Sequence, residues 1–234
     1  MDSSEKLAKK FLQSLGFSDI LFEPDGNIPP DFLVNKKIAV EVRRLNQNYE
    51  NNGVHKGLEE SEIPLWHKFE RTIKNYGKPI AGKSYFVSYE YSRPIAQWEV
   101  IEGSLKKHLD EFGDGKIKES EQYEIAHNFN VEIAQASEQY PDFFLLGGYC
   151  DFDMGGFVLS EVYRNLKVCI REKTEKISKH KNKYDEWWLV LIDRIGHSLN
   201  QEDRLEFSKT LKIEHDWDKV ILVNPLNHSE HFVI

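Results

Sequence analysis

Along the whole chain, short apolar runs of strand length alternate with stretches whose apolar residues recur at helical spacing, and few architectures admit that interleaving. Residues 3–15 carry Leu7, Ala8, Phe11, Leu12 and Leu15 on one helical face, with Ser3 or Ser4 placed to cap the start and Gly16 to end it. Strands are predicted over 19–23, 32–34, 38–45, 84–92, 187–195 and 219–224, with a last short one in 231–234. Helices are predicted over 64–76 (opened by Pro64 and closed by Gly77), 98–112, 158 to 183, and 201–211. Residues 121–137 alternate over a span that suits one long strand or a hairpin, and 141–153 reads as a strand bounded by glycines. The polar stretch after Leu45 reads as a loop. No repeat and no Pro/Gly/Ser-rich linker divides the chain, so the expectation is a single α/β domain over residues 1–234.

Composition removes several classes of function. At 234 residues the chain can bury one sizeable core, and 40% hydrophobic with 12% aromatic residues argues against disorder. No stretch approaches the roughly 18–20 apolar residues that span a bilayer. The opening MDSSEKLAKKF has no apolar signal core, and Cys150 and Cys169 lack metal-type spacing; the expected setting is a reduced cytoplasm. A net charge of −8 counts against indiscriminate nucleic-acid binding unless the cations are clustered.

The chemistry concentrates in residues 28–45, IPPDFLVNKKIAVEVRRL. In an extended strand Ile38, Val40 and Val42 share one face, and Ala39, Glu41 and Arg43 share the other. An acid inside an apolar strand is costly to bury unless it is paired, hydrogen-bonded or holding a metal. Asp31, at the head of the preceding strand, could bring a second carboxylate to the same end of a hairpin.

These residues resemble the PD-(D/E)xK nuclease superfamily. Pro30-Asp31 matches the first part of its signature and Glu41-Val42-Arg43 the second, with Glu5 in the opening helix and Arg43 where the family has lysine. The match covers residues 1–45. The resemblance implies a restriction endonuclease-like mixed β-sheet flanked by helices, with insertions around 46–63 and 93–157. It also implies metal-dependent hydrolysis of phosphodiesters, most naturally in DNA, with Mg²⁺ or Mn²⁺ held by Asp31, Glu41, the Val42 carbonyl and, as an outer acid, Glu5 or Glu23. A homodimer is the usual way to cut both strands. Arg43, never deprotonated, suits an electrostatic clamp and not a general base.

The long helix offers a candidate substitute for the missing lysine. Val162, Leu166, Cys169, Ile170 and Ile177 form its buried stripe, and Lys173 falls within it. Lys173 either points toward the carboxylates or snorkels past the core edge into water. Around it, Lys167, Arg171, Lys176, Lys179, Lys181 and Lys183 make the most basic stretch of the chain, a phosphate-binding face or a solvated one. Glu5 likewise either reaches the site or acts as a first-turn acid on the helix dipole.

Competing motifs are weak. Pro24-Asp25 lies in a turn, Pro141-Asp142 with Asp151 and Asp153 lacks a basic partner in sequence, and His228 with His231 is the closest histidine pair. Three readings follow. The first is a metal-dependent nuclease. The second is the same fold without catalysis, serving as a nucleic-acid-binding or assembly subunit. The third is an unrelated α/β domain in which Asp31, Glu41 and Arg43 form an internal ion-pair network.

Overall fold

The computed structural model describes residues 1–74, 76, 82–114, 119–197 and 199–234, and it divides the chain into two compact units. Unit 1 is Met1–Lys56 with Gly155–Ile234, and unit 2 is Gly57–Met154. In chain order, α1 (Ser3–Ser14), β1 (Ile20–Phe22), β2 (Phe32–Val34), β3 (Ile38–Leu45), β4 (Asn48–Asn51) and β5 (Val54–Gly57) come first. Next are α2 (Glu59–Lys74), β6 (Tyr85–Tyr91), α3 (Trp98–Asp114), β7 (Ser120–Ala126), β8 (Phe129–Gln135) and β9 (Phe144–Asp151). The chain then returns through α4 (Val158–Ile177), β10 (Glu186–Asp193), α5 (Gln201–Thr210), β11 (Lys219–Val223) and β12 (His231–Val233).

Unit 1 is built on a six-stranded mixed sheet, order β1-β2-β3-β10-β11-β12. The β1–β2–β3 meander is antiparallel, β3–β10 and β10–β11 are parallel, and β11–β12 is antiparallel. β10 reads EWWLVLID because a central strand covered on both faces needs apolar residues at both parities. One face packs Val40, Val42, Trp188, Val190 and Ile192 against Ala8, Phe11 and Leu12 of α1. The other packs Ala39, Leu189 and Leu191 against Val162, Leu166, Cys169 and Ile170 of α4. The β2–β3 turn places Asn35 and Lys36 at positive φ, and Lys37 N–H closes it on the Val34 carbonyl at 3.1 Å, the backbone twist that suits a tight hairpin.

Several boundaries differ from the sequence expectation for identifiable reasons. Asp2, not Ser3 or Ser4, caps α1, accepting from Glu5 N–H at 2.8 Å. The polar segment after Leu45 holds the β4–β5 hairpin, turned by Asn52-Gly53 at positive φ. α2 begins five residues before Pro64, where Glu59, Glu60 and Glu62 suit the positive end of a helix; its predicted end at Gly77 lies outside the described residues. Residues 121–137 form the β7–β8 hairpin, and α4 stops at Ile177 with a separate 3₁₀ turn at Lys181–Lys183.

Unit 2 takes in residues 64–92 together with most of the segments expected as insertions, 46–63 and 93–157. Its own four-stranded sheet runs β7-β8-β6-β9, with β6–β9 parallel. Tyr85, Val87, Tyr89 and Tyr91 alternate inward onto Phe69 and Ile73 of α2 and Ile101, Leu105 and Leu109 of α3, a core independent of the first. Gly147 and Gly148 sit inside β9, at a register shift opposite Val87 and Ser88, and do not bound it. A Cβ on Gly147 would meet Ser88 Oγ at 2.4 Å, which is why the strand carries glycine there. Among the described residues no helix is long and apolar enough to cross a membrane.

Candidate active site

The β2–β3 register brings the two acids of the opening motif together. Phe32 pairs with Val40, so the next step along the ladder sets Asp31 across from Glu41 and Pro30 across from Val42. A proline has no N–H to give the Val42 carbonyl. The Val42 N–H is instead taken by the Asp31 side chain, which accepts at Oδ2 over 2.6 Å. N–H and C=O of one strand residue point to the same side, so the Val42 carbonyl faces the Asp31 edge without a ladder donor from Pro30.

Glu41 lies on the α4 face of the sheet, fully buried, and two ammonium groups of α4 reach its Oε2. Lys173 Nζ stands 2.6 Å from Glu41 Oε2 and 3.6 Å from Asp31 Oδ2. Lys176 Nζ stands 3.0 Å from Glu41 Oε2 and 3.9 Å from Asp31 Oδ1. The other carboxylate oxygen, Glu41 Oε1, is buried and has no hydrogen-bond partner among the described residues. Two acids and two cations thus form one compact cluster of near-zero net charge, bridging β2, β3 and α4.

Burial alone would pull the Lys176 ammonium down. The Glu41 charge and hydrogen bond, with Asp31 behind them, outweigh it and hold its pKa above the ordinary lysine value. Cys169, one turn N-terminal to Lys173, is a poor candidate nucleophile: burial pushes its thiol up, against the pull of Arg43 and Lys173.

The remaining candidates lie elsewhere. Arg43 shares the Glu41 face but forms an ion pair with Glu172. Glu5 is on α1, which covers the opposite face of the sheet, and its Oε2 accepts from Asp2 N–H at 2.6 Å to complete a capping box. That is the first-turn role, and it leaves the outer-acid role without support from the geometry. Glu23 is exposed, and its contribution near the site is a backbone N–H to the Asp31 carbonyl at 2.9 Å. Asp25, of the rejected Pro-Asp, accepts from Tyr184 Oη at 2.7 Å and pairs with Lys183, lowering its carboxyl pKa. Asp151 and Asp153 do have a basic partner, Arg93, within unit 2. His231 rests its ring 5.2 Å from that of Phe11.

Lys176 is the participant that the sequence reading assigned to the basic face around Lys173. Three residues of helix place it about 60° from Lys173, beside the core stripe and not opposite it, and that angle is the signal that could have found it. Among the described residues no group of three or more His, Cys, Asp or Glu side chains gathers as a metal site. Two carboxylates, a carbonyl and water nevertheless fit Mg²⁺, which keeps several waters and uses one or two acids. The partnerless Glu41 Oε1 is a hard oxygen of the kind such an ion takes. No family model, curated protein or solved structure matches this chain.

Proposed function

We propose that this chain is a metal-dependent nuclease with a restriction endonuclease-like core, hydrolysing phosphodiester bonds in DNA. The observation that carries the reading is Lys173, which arrives from a helix 132 residues downstream to lie 2.6 Å from Glu41 and 3.6 Å from Asp31. It restores beside two acids the ammonium that Arg43 replaces in the motif. The antiparallel β1–β2–β3 meander, joined after unit 2 by α4 and the parallel strand β10, agrees with such a core.

Asp31, Glu41 and the Val42 carbonyl would hold Mg²⁺ or Mn²⁺, which supplies Lewis acidity toward water and counter-charge for the phosphate oxygens. Asp31 Oδ2 is fixed by the Val42 N–H, so its Oδ1 has a set direction. Lys173 Nζ, mostly buried beside both acids, would donate to a phosphate oxygen or to the attacking water, in surroundings that strengthen its charge. A metal-activated water would supply the external nucleophile that DNA, lacking a 2′-hydroxyl, requires. Lys167 and Arg171 on α4, and Lys179 just past its end, are exposed cations for flanking phosphates.

Supercoiled, linear and branched DNA, with RNA beside them, incubated with Mg²⁺ and with Mn²⁺ provide the test. Metal-dependent cleavage by the wild type is expected, falling on the order of a thousandfold or more in Asp31→Asn and Glu41→Gln. Cleavage undiminished in both variants would contradict the assignment. A non-hydrolytic nucleic-acid-binding or assembly subunit is the second reading, favoured by the pocket's internal charge balance. Folded protein that cuts no DNA or RNA with either metal selects it.

A further inference from the structure

Resting on the metal-dependent reading above, we propose that Lys176 and the dication are alternative occupants of the Asp31–Glu41 pair, so that Lys176 acts as a built-in competitor setting the metal concentration at which the site loads. Lys176 reaches both acids, at 3.0 Å and 3.9 Å, and so spans the gap a bridging cation would span. Its contacts parallel those of Lys173, but the two lysines are held differently. Lys173 is 13% exposed and packed in the core stripe; Lys176 is 44% exposed, with a flexible stem that can carry its ammonium into water. Of the two, Lys176 can leave at small cost.

Charge decides that one of them leaves. Asp31 and Glu41 carry −2, and Lys173 and Lys176 carry +2. A dication added to that set leaves +2 at a buried carboxylate, with like charges within a few ångströms of one another. Departure of Lys176 lowers the excess to +1, which one phosphodiester charge cancels. Loading of metal and arrival of substrate are therefore coupled: the phosphate balances the filled site and offers the released ammonium a new partner. Lys173 remains in place as the positioning cation.

Titration calorimetry with MnCl₂ on the full chain tests this with wild type, Lys176→Gln, Lys176→Arg and Glu41→Gln. Lys176→Gln is expected to bind Mn²⁺ about tenfold or more tightly than wild type, through loss of a like charge at contact distance. Lys176→Arg keeps the charge and is expected to stay near wild type, while Glu41→Gln loses binding. Affinity in Lys176→Gln equal to or below wild type, with Glu41→Gln still abolishing binding, overturns the competitor role and leaves the metal site standing. Tightening in Lys176→Arg equal to that in Lys176→Gln also overturns it, because charge is then not the cause. Binding by none of the proteins, or binding indifferent to Glu41→Gln, overturns the metal reading and this inference with it.

Discussion

Replacing Lys173 with methionine is expected to abolish cleavage and also to destabilise unit 1 by about 3 kcal/mol. The two effects have one cause. Glu41 is fully buried on β3, and Lys173 is its closest cation at 2.6 Å. Removing one partner of a buried pair leaves an uncompensated charge, which costs roughly 3–5 kcal/mol. Lys176 still reaches the same oxygen at 3.0 Å, so the lower end of that range applies. The second substitution Glu41→Gln, made on Lys173→Met, removes the stranded charge and is expected to recover most of the stability but none of the cleavage. Denaturation followed by fluorescence reads this in a Trp66→Phe, Trp98→Phe background, where the remaining Trp187, Trp188 and Trp217 all lie in unit 1. A double variant no more stable than Lys173→Met would show that the pair is not coupled as its geometry implies.

Arg93→Met is expected to cost unit 2 a comparable amount, about 3–5 kcal/mol. Asp151 is fully buried, and Arg93 Nη1 donates to both its oxygens at 2.8 Å and to Asp153 Oδ2 at 3.0 Å. The other guanidinium nitrogens donate to Ser61 Oγ and to the Leu58 carbonyl, tying the start of α2 to the ends of β6 and β9. Without Arg93, Asp151 keeps only the Tyr91 hydroxyl, 3.0 Å away, among the partners described for its side chain outside the turn. Burial and the Asp151 charge raise the Tyr91 pKa, so that hydroxyl stays neutral and cannot replace a cation. Lysine cannot reproduce the fork, so Arg93→Lys is expected to lose much of the same stability. Hydrogen exchange separates the units: amides of β6 and β9 should lose protection while those of β3 and β10 keep it. Equal loss in both units would contradict a local role.

How much of this was legible in the sequence depends on how far apart the cooperating residues lie. The Asp31–Glu41 convergence follows from eleven residues of hairpin, because a three-residue turn and strict alternation leave one register that buries Val34, Val40 and Val42. Lys173 was legible as a charge inside a helix's buried stripe, but the pattern could not choose between the carboxylates and water as its target. Which strand that stripe would cover depends on the path through 98 residues of unit 2. The same ignorance left Glu5 open between two roles, since a helix pattern says which face is apolar and not which side of the sheet it covers. Unit 2 itself was hidden because Tyr85, Val87, Tyr89 and Tyr91 alternate as any half-buried strand does, whichever sheet takes them. The β4–β5 hairpin was missed although Asn52-Gly53 marks it, since its flanks lack apolar alternation.

The central claim is that Asp31 and Glu41 together hold a dication beside Lys173. A crystal soaked in MnCl₂ and measured at the manganese absorption edge tests it most directly. The expected result is an anomalous peak about 2.0–2.2 Å from Glu41 Oε1 and from an Asp31 oxygen, with Lys173 still in contact and Lys176 turned to solvent. Saturating Mn²⁺ that leaves both ammonium groups on Glu41 and no peak between the two acids would contradict it.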